Sequence, residues 1–337
     1  MKTRARRRRT LAAVILAPVA AAVVGCASGV THDPSPTAAG SAQATAPTEA
    51  TSSTAMPGSA SGATCDQSGT VATKSYRTIA GVGPDLTSLD VYPVAGRCTA
   101  PVVLWVHGGG YRTGDKKNQM RDKVSLFNGR GWVVVSINYR LTTPGLAGSA
   151  QFPDHFDDVA AAVAWVHANI AAYGGDPTRL ALLGHSAGAD IVSNVATNPA
   201  YLGQHGLRLD ALRCAGPLDT EGFDKTTAGA NDPDGEREQW RVALGNNPTY
   251  LADTSATQLI KPGIGIPPMI GVVRGTAQRQ QIETAFLQAL RDAAIESTTI
   301  DARTLTHNQV NNQIGAPGDS VMTAPLITFL TACFQQA

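Results

Sequence analysis

The sequence is poor in aromatic side chains, which make up 5% of its 337 residues, and in charged side chains, which make up 16%. Neither charge is in excess: 27 Lys and Arg stand against 26 Asp and Glu, a formal net charge of +1. Proteins that bind nucleic acid through its phosphates carry a basic surface. No basic patch follows the first few residues, so the composition argues against a nucleic-acid partner.

Metal and nucleotide motifs are also missing. His, Asp and Cys do not cluster at ligand spacing, and the glycine-rich loop "HGGGY" at 107–111 lacks the Lys-Ser/Thr pair of phosphate-binding loops. We therefore expect no metal and no cofactor.

Residues 1–26 have the pattern of an export signal. Lys2, Arg4 and Arg6 to Arg9 precede the apolar stretch "LAAVILAPVAAAVV", which is shorter than the roughly 20 residues of a membrane-spanning helix. The following "VVGC" resembles a bacterial lipobox, which implies lipid on Cys26 and a membrane-anchored protein that faces outward. An ordinary cleaved signal is the alternative, and the choice between Sec and Tat export stays open.

Residues 27–64 consist almost entirely of Ala, Ser, Thr, Pro and Gly, which predicts a disordered tether. Residues 65–337 are long enough for one large domain. Loss of the signal removes six basic residues and no acidic ones, so the formal charge changes from +1 to −5.

Within this domain, strand patterns alternate with helix patterns. Uninterrupted apolar strands separated by helices are typical of a mainly parallel sheet covered on both faces, and so predict an α/β fold. Strands are predicted at 74–80, 89–94, 101–110, 132–141, 212–219, 267–275 and 297–305, and helices at 154–175, about 279–294 and about 319–334. Residues 179–196 are predicted to form a strand that turns abruptly into a helix.

A candidate nucleophile lies in "GHSAG" at 184–188, between a predicted strand and a predicted helix. A Gly-x-Ser-x-Gly turn in that context exposes the serine hydroxyl in a strained conformation. Attack by Ser186 creates an oxyanion that needs preorganised N–H donors. The loop "HGGGY" ends another predicted strand, where its glycines allow backbone amides to face the same crevice.

Together these segments resemble the esterase and lipase group of the α/β-hydrolase fold, including its feruloyl-esterase and arylformamidase branches. The resemblance is carried by "HGGGYRTGDK", "NYRL", "FPDHFDDVAAAVAWVHAN", "YGGDPTRLALLGHSAGA" and "THNQVNNQIGAPGD", in that order. It implies that the amides of Gly109, Gly110 and Ala187 form the oxyanion hole.

The base is found by elimination, because a histidine must follow the last strand to reach the serine from the opposite side. His307 follows that strand, 121 residues after Ser186. The other six histidines lie in the tether, in or beside earlier elements, or next to the serine: His32, His107, His155, His167, His185 and His205.

The acid departs from the commonest pattern of the group. Neutral Gln278 stands in the turn "GTAQRQQ", where that pattern has an acid. We favour Asp219, at the end of the preceding strand, and keep Glu283, Asp224 and the more remote Asp301 as alternatives. If no acid contacts the histidine, the alternative is a non-catalytic protein of the same fold that binds a ligand at the cell surface.

Five cysteines become four when Cys26 is assigned to lipid, and an even count in an exported protein favours two disulfides. The α/β fold brings all four near one edge of the sheet, which favours Cys65 with Cys98 and Cys214 with Cys333. Other pairings and buried free thiols are the alternatives.

The expected activity is hydrolysis of a short-acyl or aryl carboxylic ester by Ser186, His307 and Asp219 through an acyl-enzyme. An amidase or formamidase of the same fold is the alternative. Residues 220–262 are a possible cap insertion over the pocket. The expected partners are a small-molecule ester and the membrane that holds the lipid anchor, whereas the oligomeric state stays unknown.

Overall fold

The structure, a computed structural model, describes residues 65–227, 236–245, 247 and 249–336. The predicted export signal, Cys26 and the predicted tether lie outside the described residues, as does part of the segment 220–262.

Eight strands form a single sheet in the order β1-β2-β4-β3-β5-β6-β7-β8. The first two strands run antiparallel to their neighbours, and the other six are mutually parallel. The strand bounds are β1 Ala72–Ser75, β2 Ser88–Tyr92, β3 Ala100–Val106, β4 Val133–Ile137, β5 Gly175–His185, β6 Cys214–Leu218, β7 Met269–Val273 and β8 Ser297–Asp301.

The described residues include ten α-helices. They are α1 Arg121–Asn128, α2 Asp154–Asn169, α3 Ala187–Thr197, α4 Pro199–Gly203, α5 Glu236–Leu244, α6 Thr249–Asp253, α7 Ala256–Leu259, α8 Ala277–Asp292, α9 His307–Asn312 and α10 Thr323–Gln335. None of these helices combines the length and the hydropathy that crossing a membrane requires.

The sheet has a core on each face, as its continuous apolar strands predict. Along β3, Leu104 packs with the apolar side chains of α2, α3 and α8, whereas Val103 and Trp105 pack with those of α1 and α10. Helices on both faces hold the strand ends in place, which matters because the candidate site follows those ends.

Several predicted boundaries are wrong: the strands predicted at 101–110, 132–141 and 297–305 end at Val106, Ile137 and Asp301. Two further differences have a local cause. The strand predicted at 74–80 ends at Ser75, because the Tyr76 ring turns into the core and its hydroxyl donates to the backbone oxygen of Asn138. The helix predicted at 154–175 ends at Asn169. A short 3₁₀ turn follows it, and Gly174, at a φ of 80°, leads directly into β5.

Two disulfides join Cys65 to Cys98 and Cys214 to Cys333, the pairing favoured from the sequence. Cys98 directly precedes β3 and Cys214 begins β6. Both bridges therefore lie at the amino ends of parallel strands, opposite the ends that carry the candidate site.

Candidate active site

Ser186 occupies the turn between β5 and α3, with a φ of 59° that L residues rarely adopt. The flanking glycines are sterically required. A Cβ on Gly184 would come within 2.5 Å of the backbone oxygen of Gly188, and a Cβ on Gly188 within 2.3 Å of the Val106 oxygen. The chain can therefore turn sharply enough to present the serine only with glycine at both positions.

The glycine-rich loop packs directly against this turn. A Cβ on Gly108 would lie 2.9 Å from the Cβ of Ser186. Gly109 and Gly110 have φ values of 119° and 58°, and both line the cavity that Ser186 lines. Ala187 begins α3, where the first N–H groups have no partner within the helix. Two of the expected oxyanion donors, Gly109 and Gly110, thus share a cavity with Ser186, and the third, Ala187, follows Ser186 directly in the chain.

His307 is the first residue of α9 and lines the same cavity as Ser186. Thr306 caps this helix in a capping box with Gln309, which fixes the backbone that carries the imidazole. The ring of His307 packs on the ring of His185, with centroids 4.5 Å apart. His185 Nε2 donates a hydrogen bond of 2.9 Å to the backbone oxygen of His307.

The partner of the imidazole is Asp219, whose Oδ2 lies 2.7 Å from His307 Nδ1. Asp219 directly follows β6, is fully buried, and has a φ of 68°. Arg274 Nε lies 2.5 Å from its Oδ2, and Arg279 Nη2 lies 2.9 Å from its Oδ1. Burial raises the pKa of Asp219, but the His307 hydrogen bond and the two arginines outweigh burial. The pKa therefore lies below its usual value, and the carboxyl group stays ionised.

The other carboxyl groups considered from the sequence do not contact the imidazole. Glu283 Oε2 accepts the backbone N–H of Arg274 at 2.9 Å. Burial and the nearby charge of Asp219 raise the pKa of Glu283 to about 9. Asp224 accepts from the Thr226 hydroxyl in a local turn, and exposed Asp301 pairs with Arg303. Gln278 lines a separate cavity together with Asp224.

The cavity in front of Ser186 has a volume of about 780 Å³ and is lined mainly by groups that can form hydrogen bonds. Gln239 of α5 reaches it from the segment 220–262, and a Cβ on Gly110 would come within 2.6 Å of the Gln239 Oε1. The remaining polar side chains of the lining include Arg112, Thr113, Asn118, Gln119, Thr143, Asn308 and Asn311.

Sequence reasoning missed the buried charges that support this site. Tyr111 follows the three glycines and donates to Asp190 Oδ2, while Lys225 Nζ lies 2.7 Å from Asp190 Oδ1. All three side chains are buried. This network connects the glycine loop to α3. Its only signal in the sequence is an acid, Asp190, four residues after the nucleophile. Arg274 and Arg279 were also missed, although both stand in the turn that lacks an acid.

Within the described residues, the potential metal-ligand atoms of His185, Asp219 and His307 lie within 4.8 Å of one another. Protein hydrogen bonds already occupy both Asp219 oxygens, His307 Nδ1 and His185 Nε2. The donor set is therefore arranged for hydrogen bonds between the side chains rather than for an ion.

Comparisons with known proteins agree with this geometry. The BD-FAE family model matches residues 89–207, a range that includes the glycine loop and Ser186 but neither Asp219 nor His307. The chain is 42% identical over 101 residues to the probable carboxylic ester hydrolase LipM of Mycobacterium tuberculosis, covering 30% of this chain and 22% of that protein. It is 33% identical over 129 residues to carboxylesterase 3B of Mus musculus, covering 36% and 22%. It thus spans about a fifth of the length of these relatives.

Solved structures are similar over most of the described domain. Esterase B from Lactobacillus rhamnosis matches with a TM-score of 0.64 and 20% identity, over 79% of this chain and 87% of that one. The esterase Est2 from Thermogutta terrifontis matches with a TM-score of 0.58 and 22% identity, over 79% and 91%. Together with the strand order, these matches show that the chain has the α/β-hydrolase fold.

Proposed function

We propose that this protein is a serine esterase that hydrolyses carboxylic esters through an acyl-enzyme on Ser186. The observation that carries the proposal is the 2.7 Å contact between His307 Nδ1 and Asp219 Oδ2, on an imidazole that shares a cavity with Ser186. The esterases named among its relatives and structural neighbours support the reaction class.

The first half of the reaction forms the acyl-enzyme. Because ionised Asp219 accepts a hydrogen bond from the Nδ1–H group of His307, the Nε2 atom keeps its lone pair and takes the hydroxyl proton of Ser186. The serine oxygen attacks the ester carbonyl, and the amides of Gly109, Gly110 and Ala187 bind the resulting oxyanion. Collapse of this intermediate breaks the ester C–O bond, and protonated His307 returns its proton to the leaving alcohol.

The second half repeats these steps with water. His307 takes a proton from water, the oxygen attacks the acyl carbon, and Ser186 leaves with the proton. The products are the carboxylic acid and free enzyme, so no oxidant, metal or cofactor is needed.

The lining of the cavity supports a short-acyl or aryl ester rather than a long lipid chain. A long apolar chain would bury its carbons against hydrogen-bonding groups such as Gln119, Gln239 and Asn308, which would lose water without replacement. The helix α5 carries Gln239 to the cavity, as a cap over the pocket would.

The first test is turnover of p-nitrophenyl acetate by the purified protein. Ser186→Ala should lower kcat by roughly 10⁶-fold, because the nucleophile and its base act as a unit. Ser125→Ala, on the exposed side of α1, should retain full activity. Equal rates for the wild type and Ser186→Ala would refute the esterase proposal, and faster turnover of a matched anilide or N-formyl substrate would assign an amidase instead.

The same proposal places the enzyme outside the cytoplasmic membrane, anchored by lipid on Cys26. Two disulfides in the described domain support an oxidising compartment. Cys26→Ala should move the protein from the membrane fraction to the soluble fraction with unchanged specific activity. Membrane association that persists in this variant would contradict a lipid anchor on Cys26.

A further inference from the structure

Two arginines stand behind the acid that contacts His307. Arg274 directly follows β7 and Arg279 lies in the first turn of α8, and their side chains are 11% and 5% exposed. Arg279 also pairs with Glu221 Oε1 at 3.0 Å and lies 3.6 Å from Glu283 Oε1. The mechanism above uses neither arginine, although both contact Asp219.

The contacts fix the orientation of the carboxylate. Asp219 Oδ2 is shared between His307 and Arg274, and Oδ1 binds Arg279. Since each oxygen has its own guanidinium partner, rotation of the carboxylate would break at least one charge-assisted hydrogen bond. Asp219 therefore presents one oxygen to the imidazole in a single geometry.

The same contacts set the net charge next to His307. Asp219 and Glu221 carry negative charge, and Arg274 and Arg279 balance it, while the raised pKa leaves Glu283 uncharged at neutral pH. Burial lowers the pKa of His185 to about 3, so this ring is uncharged as well. The ionisable groups around Asp219 and His307 are Arg274, Arg279, Glu283, Glu221 and His185, and Lys123 of α1 adds its charge near His185. The charges of Arg274, Arg279, Glu221 and Asp219 sum to zero, and burial lowers the pKa of Lys123 to about 7, so that its positive charge is only partial at neutral pH.

A neutral cluster favours a protonated imidazole less than a lone buried carboxylate does. If the positive charge of Arg279 were absent, the cluster would carry −1, and a proton on His307 would neutralise it. The arginines therefore act on the imidazole through the charge and the position of Asp219.

We propose that Arg274 and Arg279 are positioning residues that hold Asp219 against His307 and offset its negative charge, so that the carboxylate favours a proton on the imidazole less than it would alone. This inference rests on the proposed esterase function.

The test measures the midpoint of the His307 ring titration by NMR in the Ser186→Ala protein, with and without Arg279→Gln. Removal of the guanidinium charge should raise the midpoint by about 0.5 to 1 pH unit. In the protein that keeps Ser186, Arg279→Gln should raise the midpoint of the acid limb of the kcat/KM profile against pH by the same amount. Arg279→Lys keeps the positive charge but lacks the planar guanidinium group that binds the carboxylate. It should therefore restore the midpoint of the titration, while kcat should be about tenfold below that of the wild type.

Arg291→Gln is the matched control, because Arg291 lies on the same helix with its side chain bonded to Gln288 at the surface, and it should leave the midpoint unchanged. A folded Arg279→Gln protein with an unchanged midpoint would overturn the inference. Where that variant does not fold, Arg274→Gln decides in the same way. The NMR titration needs no turnover, so the two proposals can fail separately. A shifted midpoint without ester hydrolysis would refute only the esterase proposal. Ester hydrolysis with an unshifted midpoint would refute only the inference about the two arginines.

Discussion

The carboxyl ends of β6 and β7 are neighbours in the sheet but carry opposite charges. Asp219 and Glu221 follow β6, whereas Arg274 and Arg279 follow β7. The charges meet beneath His307, where the carboxylate contacts the imidazole and the arginines contact the carboxylate. The residue after β6 thus acts as the acid because it contacts the imidazole, and the residues after β7 act as its counter-charges because they contact the acid.

The spacing of strands explains why the acid that contacts His307 can follow either β6 or β7. Neighbouring strands lie about 4.8 Å apart, a shift that the backbone conformation of one residue can offset. Asp219 has a φ of 68°, in the left-handed region, while the residue after β7 is a long arginine that reaches the same carboxylate. The turn that lacks an acid therefore supplies the two counter-charges of the acid instead.

Asp219→Asn should have the largest effect on activity, because it removes the charge of the acid that follows β6. Loss of the charge leaves a protonated His307 unstabilised and no longer imposes the tautomer that accepts the serine proton, so kcat should fall by about 10³- to 10⁴-fold. KM should change little, because Asp219 is fully buried behind the imidazole. Steady-state kinetics on p-nitrophenyl acetate measure both constants.

Gln278→Ala is the matched control for that experiment, since it changes the residue at which an acid was expected from the sequence pattern. Gln278 lines a different cavity, so kcat should stay within about twofold of the wild type. A large loss in Gln278→Ala together with a small loss in Asp219→Asn would show that the strand ends have the reverse roles.

Much of this arrangement could be predicted from the sequence, because it depends on local patterns. The apolar strands fixed the sheet, and the turn around Ser186 followed from glycines whose Cβ atoms would clash with backbone. The contact between His307 and Asp219 was expected from chain order and strand ends, and the two disulfides were expected from the fold.

The charged support of Asp219 could not be predicted, because it depends on contacts across 55 to 60 residues of chain. The turn "RGTAQRQQ" was notable in sequence for its missing acid, and nothing local indicates where two arginine side chains point. The predicted ends of strands and helices were wrong for a similar reason. Whether a strand continues past Ser75 depends on Tyr76 finding the backbone oxygen of Asn138 in the folded protein.

A small effect on activity is expected for Glu283→Gln, which tests the difference between the two buried carboxyl groups. Asp219 is held ionised by its partners, whereas burial raises the pKa of Glu283 to about 9. A protonated glutamic acid and glutamine have nearly the same shape and charge, so kcat should stay within about threefold of the wild type at pH 7.

The sign of the stability effect follows from proton binding. The folded protein holds the Glu283 proton up to about pH 9, whereas the unfolded chain releases it near 4.5, the ordinary pKa of a glutamic acid. Between these values the folded state binds more protons. This contribution is therefore fully present below about pH 4.5 and is lost as the pH rises toward 9, with a slope of at most about 1.4 kcal/mol per pH unit. Denaturant unfolding of both proteins at pH 5, 7 and 8.5 measures it, and the wild type should lose stability relative to Glu283→Gln as the pH rises. A difference in the free energy of unfolding that does not change with pH would mean that Glu283 is ionised in the native state, and that the two arginines face three carboxylates, those of Asp219, Glu221 and Glu283.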